Sequence, residues 1–302
     1  MAKEYFWLDG KFVESSKATV PILTHSLQYG SGIFEGIRAY KAKDGTAIFR
    51  LEDHVKRFFS SAAIYSMDLQ YTKEDIANAI ISLVRKNKMN SCYIRPFAFY
   101  NDQRIGLSVK DKKISIAIAA VNFGSYFKNK SSGISCVVSS WRRINSSTLP
   151  PMAKASGNYV NSILASSEAA AAGADEAILL NTAGHVAEGP GENIFLVENN
   201  VLITPSKSSD ILIGITRDSV IKLAEAVGLE VEERDVNREE LYTCSEAFFS
   251  GTAAEITPIT SIDFRKIGKG SAGPITKTIA EDYSSATTGT LNEGFEDWLT
   301  YL

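Results

Sequence analysis

Residues 149–162 read LPPMAKASGNYVNS and place one lysine, Lys154, among small residues directly after a Pro-Pro pair. Asn-Tyr near the end of this stretch opens the helical pattern NYVNSILASSEAAAAG. A surface lysine usually lies among charges or on the polar face of a helix, whereas Lys154 has no charged residue beside it. Lys154 is therefore a candidate reactive residue just ahead of a predicted helix.

The part of the chain before Lys154 shows the pattern of an α+β domain. The segment YFWLDGKFV alternates apolar and polar residues around Asp9-Gly10, which predicts a β-hairpin. Helices are predicted from about residues 51 and 72, the second capped by Thr72, and strands are predicted in CYIRPFAFY and KISIAIAAV. We therefore expect a small α+β domain over residues 1–121.

A loop and a second pattern follow. Residues 122–133, NFGSYFKNKSSG, are rich in Gly, Ser, Asn and Lys, which predicts an interdomain loop. Beyond it, the strand patterns ISCVVSSW, DEAILLN, ENIFLVE and SEAFFSGT alternate with the helical patterns NYVNSILASSEAAAAG and TRDSVIKLAEAVG. This alternation predicts a larger mixed α/β domain over residues 134–302. A chain of 302 residues exceeds the usual size of one domain and can bury a site.

Charge and composition argue against several classes of protein. The 32 Lys and Arg residues are scattered among 35 Asp and Glu, a net charge of −3, which argues against nucleic acid as a partner. No apolar run approaches the roughly 18 to 20 residues of a membrane span, and the start MAKEYFWLDG lacks a signal-peptide pattern. Cys92, Cys136 and Cys244 are far apart and the three histidines do not cluster, which argues against disulfides and a transition-metal site. We expect a soluble, cytoplasmic protein with no membrane partner.

Two turns rich in small residues are candidate phosphate sites. In ILIGITRDSVIKLAEAVG, Gly214 precedes a predicted helix with Thr216 at a cap position, and the unpaired N–H groups of a helix start attract anions. In FFSGTAAEITP, a predicted strand ends in Gly251-Thr252-Ala253, where a ligand can approach the backbone. Each turn has an ordinary alternative, which is a capped helix in the first case and a strand exit in the second.

An isolated carboxylate completes a set of three groups. In GHVAEGPGENIFLVE, Glu188 stands beside Ala187 and Gly189 in a tight turn. It is either a solvated loop charge or a group directed at a cationic ligand nitrogen. Lys154, the phosphate cradle and Glu188 are together the groups that pyridoxal 5′-phosphate needs. The amine forms a Schiff base with the aldehyde, and the carboxylate keeps the pyridine nitrogen protonated.

Six motifs are spread along the chain: HSLQYGSGIFEGIRAY, YIRP, AKASGNY, EGPGENIF, GITRDSVIKLA and SGTAAEITP. Their order and approximate spacing resemble those of the branched-chain amino acid aminotransferases, which are pyridoxal-phosphate enzymes of fold type IV. The chain resembles this family over nearly its whole length. The resemblance implies a two-domain enzyme that transfers the amino group of L-leucine, L-isoleucine or L-valine reversibly to 2-oxoglutarate, giving the 2-oxo acid and L-glutamate by a ping-pong mechanism. D-amino acid aminotransferases tend to have Asp-Arg ahead of the first Tyr-Gly, where this chain has Thr24-His25, so L-specificity is favoured.

The resemblance also implies the cofactor contacts. Lys154 looks like the lysine that binds the cofactor and moves a proton between the substrate α-carbon and the cofactor C4′. Tyr159 would hydrogen-bond the ring hydroxyl, and Glu188 would face the pyridine nitrogen. The residues implied for the phosphate and the ring face are Arg57, Ile215, Thr216, Thr252 and Leu212.

The substrate contacts follow from the same resemblance. They are Tyr29, Phe34, Gly36, Tyr93, Arg95, Phe123, Tyr126, Thr252 and Ala253. Phe34 and Tyr29 would form apolar walls, and the Arg95 guanidinium would bind the distal carboxylate of 2-oxoglutarate, because its fork of donors matches a carboxylate. The family often has tryptophan where this chain has Phe123.

Assembly and two rival functions complete the expectations. Residues near Ile105, Gly106 and Leu107 resemble a loop that reaches a neighbouring subunit's pocket, which implies a homodimer or a hexamer built as a trimer of dimers. The first rival is a lyase on the same cofactor that acts on a chorismate-derived amine. The second is a non-catalytic protein that binds a phosphorylated ligand on the two cradles.

Overall fold

The chain begins with the predicted hairpin. The computed structural model describes residues 4–124, 126–127, 132–291 and 294–302. Two short antiparallel strands are joined by Asp9 and Gly10, whose φ angles are 44° and 85°. These positive values are those that a two-residue hairpin turn requires, and glycine and aspartate tolerate them. The hairpin prediction is confirmed.

The remaining elements follow in chain order. The strands are β1 (Tyr5–Leu8), β2 (Lys11–Glu14), β3 (Gly32–Phe34), β4 (Ile37–Ala42), β5 (Gly45–Phe49), β6 (Cys92–Tyr100), β7 (Ile114–Val121), β8 (Ile134–Arg142), β9 (Glu176–Leu180), β10 (Val186–Glu188), β11 (Asn193–Glu198), β12 (Val201–Pro205), β13 (Val231–Arg234), β14 (Glu246–Gly251), β15 (Glu255–Ile262), β16 (Arg265–Lys266) and β17 (Leu299–Tyr301). The helices are α1 (His25–Tyr29), α2 (Leu51–Ile64), α3 (Lys73–Asn87), α4 (Tyr159–Ala171), α5 (Ile215–Ala226), α6 (Glu240–Thr243) and α7 (Pro274–Thr288).

Contacts along the chain define two compact units. The first unit comprises Met1–Gly124, Ala153–Gly157 and Ala286–Leu302, and the second comprises Ser125–Met152 and Asn158–Ser285. The domain boundaries at residues 121 and 134 stay a prediction, because a compact unit need not fold independently. Within the predicted loop 122–133, residues 125 and 128–131 lie outside the described residues.

The first unit is built on an antiparallel sheet. Within the described residues this sheet has eight strands in the order β17-β5-β4-β6-β7-β1-β2, with β3 paired to β6. Helices α2 and α3 pack on the sheet through buried side chains such as Phe58 and Ile80. Thr72 caps α3 in a capping box with Asp75, which confirms the predicted helix start.

The second unit is built on a mixed sheet. Its described strands follow the order β10-β9-β8-β15-β14-β11-β12-β13, with β16 paired to β15. Strand β8 runs parallel to β9 and β15, and β12 runs parallel to β13, whereas the other pairs are antiparallel. The predicted mixed sheet with helices is confirmed. None of the helices in the described part of the chain combines the length and apolar character needed to span a bilayer.

Candidate active site

Lys154 lies in the first unit, immediately before the short segment that leads into α4. Its backbone is held on both sides: its N–H donates to Ser61 Oγ at 3.0 Å, and its carbonyl accepts from Phe34 N at 2.9 Å. The next residue, Ala155, bridges to Ile33. The Lys154 ammonium nitrogen lies 4.8 Å from the centre of the Phe34 ring. The amine is therefore carried on a fixed piece of backbone.

A buried ion pair lies in the same unit. Arg57, on α2, donates from Nε to Glu35 Oε1 at 2.6 Å and from Nη2 to Glu35 Oε2 at 2.8 Å. The ring Nδ1 of His54, also on α2, lies 2.8 Å from Glu35 Oε2. Arg57 is one of the sequence-predicted phosphate residues, whereas Glu35 and His54 are not.

Four of the predicted substrate residues form one aromatic and cationic group in the first unit. The Arg95 guanidinium lies 4.7 Å from the Phe34 ring centre and donates to the Tyr93 hydroxyl at 3.1 Å. The Tyr93 and Phe123 rings are 4.9 Å apart. Gly36 is required beside this group, because a Cβ there would lie 2.1 Å from the Tyr93 hydroxyl oxygen. Arg95 is not the only cation at these rings, because the Arg38 guanidinium lies 5.5 Å from the centre of the Phe123 ring.

Tyr29 contacts a different part of the first unit. It is the last residue of α1, and its hydroxyl accepts from Gly106 N at 3.2 Å. His25, on the same helix, lies 3.1 Å from the carbonyl oxygen of Gly106 through Nε2. The loop predicted to reach a neighbouring subunit is thus fastened to α1.

In the second unit, Glu188 is buried at the end of β10. Its Oε2 accepts from Asn193 Nδ2 and from the Leu212 N–H, both at 3.0 Å. Arg143 Nε lies 2.7 Å from Oε1, an ion pair that lacks the alignment of a hydrogen bond. The buried position overturns the alternative of a solvated loop charge at Glu188.

The two predicted phosphate turns come together beside Asn193. The Asn193 amide donates to the Leu212 carbonyl at 2.9 Å, and a Cβ at Gly214 would lie 2.0 Å from Asn193 Oδ1. Strand β11 pairs with β14 so that Asn193 lies opposite Ser250, one residue before the second turn. Helix α5 starts directly after Gly214, and no side chain among the described residues caps it. This end of β11 therefore presents unpaired helix N–H groups next to a small-residue turn.

The other predicted residues of the second unit lie as follows. Ile215 and Thr216 are buried in the first turn of α5, Thr252 and Ala253 lie in the turn after β14, Tyr159 is the first residue of α4, and the Tyr126 ring is 4.7 Å from that of Phe127. Reasoning from the sequence did not assign Arg143, Asn193, Glu35 or His54. A single charged residue in the apolar run GIFEGI was a usable signal for Glu35, whereas nothing in SSWRR distinguishes Arg143 from its neighbour.

The fold and these groups define a class of protein. Residues 32–262 match the family described as amino-transferase class IV. The chain belongs to the class IV aminotransferases.

Individual relatives match nearly the whole length of the chain. The branched-chain-amino-acid aminotransferase of Pseudomonas aeruginosa is 43% identical over 298 residues, 98% of this chain and 96% of that protein. The crystal structure of a branched-chain aminotransferase from the archaeon Thermoproteus uzoniensis with norvaline has a TM-score of 0.94 at 47% identity, covering 99% of both chains. The T.th. branched-chain amino acid aminotransferase complexed with N-(5′-phosphopyridoxyl)-L-glutamate has a TM-score of 0.94 at 43% identity, covering 100% of this chain and 99% of that one. The resemblance drawn from the sequence motifs, and the fold type IV architecture with it, are confirmed.

Proposed function

We propose that this chain catalyses reversible amino-group transfer from L-leucine, L-isoleucine and L-valine to 2-oxoglutarate, with pyridoxal 5′-phosphate as its cofactor. The observation that carries the proposal is the fixed backbone of Lys154 in a class IV aminotransferase chain. The T. uzoniensis and T.th. relatives, solved with norvaline and with phosphopyridoxyl-L-glutamate, support an aliphatic donor and a glutamate-type partner.

The residues present fit the cofactor. Glu188 is a buried carboxylate that three groups hold in a fixed orientation. A carboxylate held in this way suits a cationic ring nitrogen. The uncapped start of α5 suits a phosphate. The Ser250 hydroxyl, one residue before the second turn, is buried with no hydrogen-bond partner among the described residues. When bound, the cofactor supplies an aldehyde that reacts with amines and a ring that accepts the electrons of the substrate α C–H bond.

Each cofactor-side residue then has one task. Lys154 holds the aldehyde carbon and, once the substrate amine has replaced it, carries the proton between the substrate α-carbon and C4′. Glu188 keeps a proton on the ring nitrogen, and Tyr159 donates to the ring hydroxyl. Arg57 binds the phosphate. The remaining contacts to the phosphate and ring face are Ile215, Thr216, Thr252 and Leu212.

The substrate pocket must accept an aliphatic side chain in one half-reaction and a carboxylate in the other. Phe34 and Tyr29 serve the first as apolar walls, and Arg95 serves the second as a cation beside Tyr93. Phe123 and Tyr126 cover the substrate. Gly36 leaves room for the Tyr93 hydroxyl, and Thr252 and Ala253 bind the α-carboxylate.

A second copy of this chain is the proposed partner. The side chains of Ile22, Leu27, Ile105 and Leu107 are 74%, 57%, 80% and 77% exposed, and α1 is fastened to the loop that carries the last two. Apolar side chains grouped at a surface mark contact sites. We infer a homodimer or a trimer of dimers. We also infer a cytoplasmic location, which the three free and buried cysteines support.

A substrate panel tests the proposed function. The purified protein should absorb at about 400 nm, the usual range of a protonated Schiff base of the cofactor. Reduction with borohydride should attach the cofactor permanently to Lys154. Leucine, isoleucine and valine should each bleach this band, and 2-oxoglutarate should restore it. Lys154→Ala should slow turnover by about 10⁴-fold, the upper range for a lost acid–base group. A protein that shows the band but transfers no amino group to 2-oxoglutarate would instead indicate the lyase, and no band at all would indicate a phosphate-binding protein.

In the same panel, Arg95→Gln separates the two substrate roles. Loss of the guanidinium should slow the 2-oxoglutarate half-reaction by about tenfold to hundredfold, the range for a hydrogen bond to a charged group. The leucine half-reaction should keep its rate. Equal losses in both half-reactions would contradict the assignment of Arg95.

A further inference from the structure

Glu35 is a fully buried carboxylate to which the proposed function gives no task. It lies between Phe34 and Gly36, and its side chain is 0% exposed. Its backbone N–H donates to the Pro96 carbonyl at 2.9 Å, which fixes it beside β6. Two Arg57 donors and the His54 ring nitrogen surround the carboxylate at 2.6 to 2.8 Å.

The charges of this cluster are well defined. Burial alone would raise the pKa of Glu35, but the Arg57 charge and the hydrogen bonds from Arg57 and His54 outweigh it and hold that pKa well below its usual value. Burial lowers the pKa of His54, and the charges of Arg57 and Lys154 add to this against the opposing effect of Glu35. An ionised carboxylate only accepts, so neutral His54 carries its proton on Nδ1 and donates it to Glu35.

One face of α2 carries all the contacts. His54, Arg57 and Ser61 are spaced at i, i+3 and i+7, so they share a side of the helix. The first two contact Glu35, and the third accepts from the backbone of Lys154. Helix α2 thus positions the reactive lysine and the buried ion pair together.

We propose that Glu35 is a positioning residue that fixes the Arg57 guanidinium for the cofactor phosphate, and that His54 holds Glu35 in place. The proposal rests on the proposed function, because it takes Arg57 as a phosphate ligand. Two parallel N–H···O bonds fix the plane of a guanidinium, which otherwise has several rotamers on a long side chain. Glu35 accepts from two of the five guanidinium donors.

Removal of Glu35 has a second effect on phosphate binding, opposite to the loss of positioning, so the direction of the measured change in affinity distinguishes the two. Glu35 also neutralises Arg57, so its removal would strengthen the attraction to a phosphate if charge alone mattered. If positioning dominates, removal weakens phosphate binding. The two effects predict changes in opposite directions for the same variant.

The experiment compares pyridoxal 5′-phosphate with pyridoxal, which lacks the phosphate. Both are titrated into the full-length chain after removal of its cofactor, with absorbance near about 400 nm as the readout. Glu35→Gln should raise the Kd for pyridoxal phosphate by about tenfold to hundredfold and leave the Kd for pyridoxal unchanged. Tighter binding of pyridoxal phosphate, or equal losses for both compounds, would overturn the proposal.

Glu246→Gln is the matched control. Glu246 is a buried carboxylate of the second unit that accepts from the Ile275 and Thr276 N–H groups at the start of α7. This variant should leave both Kd values as in the wild type. If Glu35→Gln does not fold, Glu35→Asp keeps the charge on a shorter arm and should give a smaller loss that is again confined to pyridoxal phosphate.

A double-mutant cycle with Arg57→Gln separates this proposal from the proposed function. Arg57→Gln should lose the preference for pyridoxal phosphate, and Glu35→Gln should add nothing in that background. If Arg57→Gln loses the preference while Glu35→Gln keeps it, Glu35 has no positioning role and the phosphate role of Arg57 stands. If Arg57→Gln itself keeps the preference, the phosphate assignment within the proposed function fails.

Discussion

The two units each contain a buried carboxylate–arginine pair, but the pairs are built in opposite ways. In Glu35–Arg57 the carboxylate side chain is 0% exposed and the arginine 14%, and two parallel hydrogen bonds join them. In Glu188–Arg143 the exposures are 5% and 7%, and a single oxygen meets the guanidinium while backbone and amide donors bind the other. The arginine has the proposed ligand role in the first pair, and the carboxylate has it in the second.

The difference indicates what each supporting partner provides. A buried ion pair gains little stability, because desolvation of the two charges offsets their attraction. A buried ion pair instead serves to hold one charge in a fixed place, because the second charge fixes the position of the first. The first pair should therefore act on cofactor affinity, and the second on the chemistry at the ring.

Within this comparison, the largest change is expected from a variant that breaks the Glu188–Arg143 pair. Glu188→Gln keeps the size of the side chain but removes the charge, so the ring nitrogen is no longer held protonated. We expect turnover of leucine to fall by about 10² to 10³-fold, the range for loss of a preorganised electrostatic group. The preference for pyridoxal phosphate over pyridoxal should stay as in the wild type, in contrast to Glu35→Gln. A loss of that preference with little change in turnover would reverse the comparison.

A smaller effect comes from the support of Glu188. In Gly214→Ala, the new Cβ would lie 2.0 Å from Asn193 Oδ1, and Asn193 holds both Glu188 and the Leu212 carbonyl. Gly214 has a φ of −72°, so space rather than backbone strain is the obstacle. We expect a stability loss of about 1 to 3 kcal/mol, the cost of overpacking, and reduced turnover. Thermal unfolding and leucine turnover measure the two.

Gly191→Ala is the control, at a glycine of the turn between β10 and β11. A Cβ at Gly191 meets no described atom within 4 Å. This variant should keep the stability and turnover of the wild type. Similar losses in both variants would show that the loss at Gly214 does not come from the contact with Asn193.

Lowering the pH also distinguishes the two pairs, with the smallest change of the series. In the described structure a histidine contacts only the Glu35–Arg57 pair. The pKa of His54 is lowered from 6.5 and that of Glu35 from 4.5, so the unfolded chain binds more protons than the folded one below each of these values. Stability should therefore fall with decreasing pH, first below pH 6.5 through His54, by at most about 1.4 kcal/mol per pH unit.

His54→Asn isolates this contribution. An asparagine amide can replace the Nδ1 donor but does not titrate, so the variant should lose less stability between about pH 6.5 and 5 than the wild type does. Thermal unfolding of the cofactor-loaded protein across this range is the measurement. Equal slopes in the two proteins would mean that His54 is not held neutral by its surroundings.

Local signals in the sequence were enough to predict several elements. Asp9-Gly10 fixes a hairpin because its backbone must adopt positive φ, and Thr72 fixes the start of α3 because its side chain and Asp75 satisfy the first backbone donors. Lys154 and Glu188 were identifiable because each is a lone charge among small residues. The six motifs added the family and, with it, the candidate residues.

The surroundings of those candidates depend on contacts between distant parts of the chain. Glu35 and Arg57 are 22 residues apart, and Leu212 and Glu188 are 24 apart, so no helical or strand period links them. The pairing of β11 with β14 brings Asn193 opposite Ser250, and β17 joins β5 from the far end of the chain. A local pattern sets the conformation of a few neighbouring residues. The partner of a buried charge depends on sheet register and helix packing, which the whole chain determines.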